Sequence, residues 1–205
     1  YDYEMADSGS TDSASDKCQD FLDSLKLDAG DMRRMAMHVQ DVRYINGQND
    51  ILEGMVSKET LQNEDAKIIM SMMGFDAFSA LLVATSISRM ERFPHARELA
   101  SFMGLCPRIY QSGDTTRYGR MKKAADRNLT WVMIRAAMVA ARHDPRMKAR
   151  YETLRKRHPP VIAYSHVANY IARCIWDILE WCEPYRYHDK AAYETKLKRL
   201  KGRCR

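Results

Sequence analysis

Apolar residues recur at helical spacing along most of the chain, and nowhere do they alternate with polar residues over the length of a strand. Phe21, Leu22, Leu25 and Leu27 form a short cluster. A longer stripe follows through Met32, Met35, Val39, Val42, Ile45, Leu52 and Met55. Gly47 and Gly54 interrupt it, which allows a kink or a break. A narrow stripe on a long polar helix suits a helical hairpin or a dimer contact over 32–62, although fewer than three clean heptads are present.

Further on, Ala66 to Met72 is apolar on one side, and Gly74 breaks that pattern. Asp76 is placed to cap a helix from Ala77 to Ile87. Pro94 opens the next helix, which runs through Leu99 and Phe102 and stops at Gly104. Pro107, Gly113 and Gly119 lie among polar residues, so 105–119 reads as a loop. From Lys122 the helical pattern resumes, with Leu129, Val132, Met133, Ala136, Ala137 and Ala140 on one face. Asp144-Pro145 is an N-cap followed by proline at the first helical position. Val161 to Cys182 is the most apolar helix, and Glu183-Pro184 ends it. The expected class is all-α, in four segments: a disordered acidic linker or remnant over 1–17, a helical connector over 18–63, a helical domain over 64–187 and a basic tail over 188–205.

Charge changes this picture more than composition does. The net charge is +6, but residues 1–31 carry −7, so the rest of the chain carries +13. A helical body that basic prefers polyanions, of which nucleic acid is the commonest large one. The apolar residues never run for the roughly 18 positions a membrane helix needs, and the acidic start lacks the features of a signal peptide. The five cysteines are odd in number and include no C-x-x-C pair, so neither a disulfide framework nor a zinc site is expected. Cys174 and Cys182 read as small buried hydrophobes, and the compartment as reducing and cytoplasmic; nucleoid association is the corresponding expectation for a chain that binds DNA.

The loop 107–127, PRIYQSGDTTRYGRMKKAADR, concentrates the candidate chemistry. It holds Arg108, Arg117, Arg120, Lys122, Lys123 and Arg127 against Asp114 and Asp126. Gly113 and Gly119 allow close approach of the backbone to a ligand, and arginine forks match phosphate geometry. Ser112 stands among these cations, where a hydroxyl could attack a phosphodiester while arginines stabilise the developing charge. Gly74, in Met73-Gly74-Phe75-Asp76 between two short helices, is a second phosphate-contact candidate of helix–hairpin–helix type, with an ordinary helical turn as the competing reading. The six histidines show no metal-binding spacing, and the N-terminal aspartates lie in low-complexity sequence without strands to hold them.

In order and spacing, residues 68–185 resemble the C-terminal domain of the DEDD-type serine transposases, the family of the Piv-like DNA invertases and the bridge-RNA-guided insertion-sequence recombinases. The resemblance rests on IIMSMMGFDAFSA, FPHARELASFMGLCPRIYQSG, RYGRMKKAADRNL, AAMVAARHDP and VANYIARCIWDILEWCEPY, with GLCP–QSG–YGRMKK the specific part. It implies that Ser112 is the nucleophile, forming a phosphoserine bond to cleaved DNA. It also implies that Mg²⁺-binding carboxylates come from an N-terminal RuvC-like domain, which 1–31 does not resemble, so the chain alone is not expected to recombine DNA. The implied partners are DNA, a guide (bridge) RNA and a second copy of the chain. The sequence departs from the family pattern at Gly74-Phe75-Asp76, at Ala125-Asp126 and at Thr130 after Leu129, which touches the hairpin turn and the stretch after Lys123 but leaves Ser112 and its arginines intact. The competing functions are a non-catalytic nucleic-acid-binding module and a helical dimerisation scaffold.

Overall fold

A computed structural model of the chain describes residues 28–112, 115–121 and 125–203, with side chains outside 108–124. Two units divide the chain, 1–54 and 55–205. The first helix, α1 (Ala29–Gln62), runs through both Gly47 and Gly54 without a break. An exposed helix tolerates glycine at about 1 kcal/mol each, too little to stop a helix of 34 residues. Tyr44, Ile45, Ile51, Leu52 and Met55 on it are exposed.

In the second unit several helix starts are fixed by a capping side chain. Asn63 caps α2 (Glu64–Met70), its side chain accepting from Ala66 N at 2.9 Å. Asp76 caps α3 (Ala77–Ile87) in a reciprocal capping box with Ser79. A 3₁₀ turn (Met90–Arg92) leads to α4 (Ala96–Phe102). Asp126 caps α5 (Arg127–His143), and Asp144 caps α6 (Pro145–Arg155), with proline at the start. Helix α7 (Pro160–Glu180) ends where Glu183 N donates to Ile178 O and Cys182 N to Leu179 O, a Schellman motif. Cys182 supplies its left-handed residue at φ 52° and is exposed, whereas Cys174 is buried as expected.

The core forms between the apolar faces of α5 and α7. Leu129, Val132, Met133, Ala136, Ala137 and Ala140 on one helix, and Val167, Ala168, Ile171, Ala172 and Ile175 on the other, are almost fully buried. Alanines at 136, 137 and 140 let other backbone come close. The turn between α2 and α3 uses that space: a Cβ on Gly74 would stand 2.5 Å from Ala136 O, and Gly74 itself has φ +96°. The body is thus all-α, as the periodicity predicts.

Two segments differ from the sequence reading. The stretch read as a loop contains a two-stranded antiparallel hairpin, β1 (Pro107–Ser112) and β2 (Thr115–Met121). Ile109, Tyr110, Thr115, Thr116 and Tyr118 have high strand propensity, and this outweighs the turn formers around them. The basic tail is also ordered from residue 190, as α8 (Lys190–Arg203). Its Leu200 is buried, and the Tyr193 hydroxyl donates to Lys67 O at 3.0 Å.

Lys196 explains much of that docking. Its ammonium lies 3.0, 3.3 and 2.8 Å from the carbonyls of Met70, at the end of α2, and of Met72 and Phe75 in the turn that follows. Burial holds this lysine below its ordinary pKa, opposed by the Asp76 carboxylate. Lys196→Met should lower stability by about 2 kcal/mol, because the Met70 and Phe75 carbonyls lose the ammonium and Met72 O keeps only the Phe75 N–H. In calorimetry the midpoint should fall by roughly 4–8 °C.

Candidate nucleic-acid interface

The hairpin stands on two feet, each fixed by the helical body. At the first, Gly104 turns the chain at φ 74° after α4, and Leu105 is buried. Asn169 of α7 donates to Leu105 O at 3.1 Å, and its Nδ2 lies 3.6 Å from Cys106 Sγ. The Thr130 hydroxyl of α5 lies 2.9 Å from Met103 O. At the second foot, the Asp126 carboxylate accepts from Asn128 N at 2.8 Å and starts α5. A two-stranded ribbon is marginal in isolation, so these anchors let it persist at a defined place.

Along the ribbon the register is Ser112↔Thr115, Gln111↔Thr116, Tyr110↔Arg117 and Ile109↔Tyr118, and then Pro107↔Met121. Between the last two pairs, Gly119 and Arg120 oppose Arg108 alone, which is a β-bulge. Three of the sequence-predicted residues, Arg108, Gly119 and Arg120, therefore meet at one irregularity near the base. Ser112 is the last residue of β1, and Arg117 is its diagonal neighbour across the ladder. Diagonal positions in such a ladder lie roughly 7–8 Å apart along the backbone. Arg127 begins α5 at the second foot. Gly113, Lys122 and Lys123 lie outside the described residues.

Gly74 is not part of this grouping. It packs on Ala136, nine residues along α5 from Arg127, about 13 Å by helical rise. Its close approach to backbone and its positive φ demand glycine on packing grounds alone.

Other nucleophile and metal candidates have little support in the described part. Burial pushes the Cys174 thiol up to about 11, far from a reactive thiolate. Among the described residues no group of three or more His, Cys, Asp or Glu could hold a metal ion, and no described helix is long and apolar enough to cross a membrane.

The geometry defines the class as an all-α body carrying one two-stranded hairpin whose sequence is rich in arginine. Comparison with known proteins is more specific. Residues 66–152, from α2 into α6 and including the whole hairpin, match the model of the family described as Transposase IS116/IS110/IS902. The chain is similar to a protein of Pseudomonas aeruginosa described as "Probable family 20 transposase", with 30% identity over 129 residues, covering 60% of this chain and 38% of that protein. It is also similar to the transposase for insertion sequence element IS1111A of Coxiella burnetii, with 29% identity over 128 residues, 60% of this chain and 35% of the relative. For the transposase for insertion sequence element IS1328 of Yersinia enterocolitica the identity is 24% over 142 residues, 67% of this chain and 42% of the relative. The matches thus span well under half the length of each relative.

Proposed function

We propose that this chain is the serine-bearing part of a DNA transposase. Its hairpin holds the DNA backbone, and Ser112 is the nucleophile. The observation that carries this reading is the position of Ser112 at the end of an anchored strand, diagonal to Arg117, inside the segment matched by the transposase family model. In the step proposed, Ser112 Oγ bonds to a backbone phosphorus as the P–O bond to one sugar breaks. The hydroxyl proton passes to a base, and the departing sugar oxygen gains a proton. Cations at 108, 117 and 120 offset charge on the phosphorus oxygens. The described residues do not provide a Mg²⁺ site. In this reading the carboxylates that would hold Mg²⁺ come from a further domain of the transposase. The test is covalent capture: labelled target DNA is incubated with the transposase containing this segment, its guide RNA supplied, and the denatured protein is examined for retained label. Absence of any adduct while strand transfer proceeds overturns the reading.

Binding by this chain can be measured separately from chemistry. The double variant Arg117→Gln, Arg120→Gln should flatten the salt dependence of duplex binding, lowering the log–log slope by about 1.8 if each arginine meets one phosphate. Titration of affinity from low to moderate salt reads that slope.

A further inference from the structure

A second basic surface lies beside the first foot of the hairpin. Helices α6 and α7 leave an open groove of about 490 Å³ between them, lined by Arg150, Thr153, His166, Asn169, Tyr170 and Arg173. Neither arginine has a carboxylate partner among the described residues, and no acidic residue lines the groove. The Arg150 guanidinium is stacked 3.9 Å above the Tyr170 ring, which fixes its direction without neutralising it. His166 faces His158 at 5.3 Å between ring centroids. Its imidazole is held below its ordinary value by burial first, then by His158 and Arg150, as befits a locally positive site. Asn169 links the groove to the hairpin, since the same side chain that lines it donates to Leu105 O two residues before β1. The groove therefore adjoins the point where the chain enters the hairpin.

We propose that the α6–α7 groove holds the phosphodiester backbone of a nucleic-acid strand continuing past the hairpin, with Arg150 and Arg173 each meeting a phosphate. The inference rests on the DNA-handling reading above and extends the bound length beyond the hairpin. A groove with exposed guanidinium groups and an aromatic support suits a polymer passing through it better than an enclosed small molecule.

The experiment measures binding of the whole 205-residue chain to DNA and RNA duplexes of equal length across a salt series. Arg150→Gln with Arg173→Gln should weaken binding about tenfold or more at moderate salt and lower the log–log slope by roughly 1.8. Lys198→Gln with Lys201→Gln, which removes the same charge from exposed positions on α8, is the control, and circular dichroism checks that each variant is folded. A loss no larger than the control's overturns the inference. If the wild-type chain binds no nucleic acid, the functional reading fails with it. If Arg117→Gln with Arg120→Gln weakens binding and the groove pair does not, only the groove assignment falls. Loss confined to one of the two duplexes identifies which nucleic acid occupies the groove. Polyglutamate displacing the duplex from wild type but not from the groove variant would assign the groove to acidic peptides and overturn it.

Discussion

Ser112→Ala is expected to abolish the covalent protein–DNA adduct while leaving DNA binding nearly intact. Loss of a nucleophile costs roughly three to six orders of magnitude. Binding should change by no more than about fivefold, the worth of one neutral hydrogen bond. The separation of the two effects is what makes the test decisive. A serine that merely contacts phosphate would alter affinity and chemistry together. Tyr110 and Tyr118 of the same ribbon also carry hydroxyls, so the linkage must be identified. A serine phosphodiester is eliminated in strong alkali, whereas a tyrosine linkage survives. An alkali-stable adduct, or an adduct formed by the alanine variant, would remove Ser112 from the mechanism.

Gly74→Ala is expected to have the largest effect on stability, about 3–5 kcal/mol. Two costs add. The backbone at φ +96° is strained for any residue with a Cβ, and the new methyl would meet Ala136 O at 2.5 Å. Since the obstacle is backbone, no substitution of a neighbouring side chain relieves it. Urea unfolding should show a lowered midpoint with an unchanged slope. The fraction that remains folded should bind DNA as the wild type does. Unchanged stability with weakened binding would instead make Gly74 a phosphate contact.

The helical body was readable from the chain because its signals are local. Asp76, Asp144-Pro145, Gly104 and Glu183-Pro184 each mark an end that depends on a few neighbouring residues, and the helix boundaries fall there or within three residues. The hairpin was not readable, for two reasons. Its strands are short, and the bulge at Arg108 shifts the register, so no unbroken alternation survives. Helix α8 was hidden differently. Its charges suggest a solvated tail, and the roles of Lys196 and Tyr193 exist only through carbonyls supplied by residues 67–75. Ser112 and its arginines stood out as a composition, but their pairing needed the register. The groove at Arg150 and Arg173 needed two helices laid side by side, which no single stretch of sequence contains.

The docking of α8 also has a kinetic meaning. Its contacts join residues up to 126 positions apart, as between Tyr193 and Lys67 or Lys196 and Met70. Closing so long a loop carries a large entropy cost, whereas α5, α6 and α7 follow one another and meet early. The last helix is therefore expected to dock late in folding and to lose its amide protection first in hydrogen exchange. Its departure would remove the Lys196 ammonium from the Met70, Met72 and Phe75 carbonyls that frame the Gly74 turn, which ties the stability of that turn to the far end of the chain.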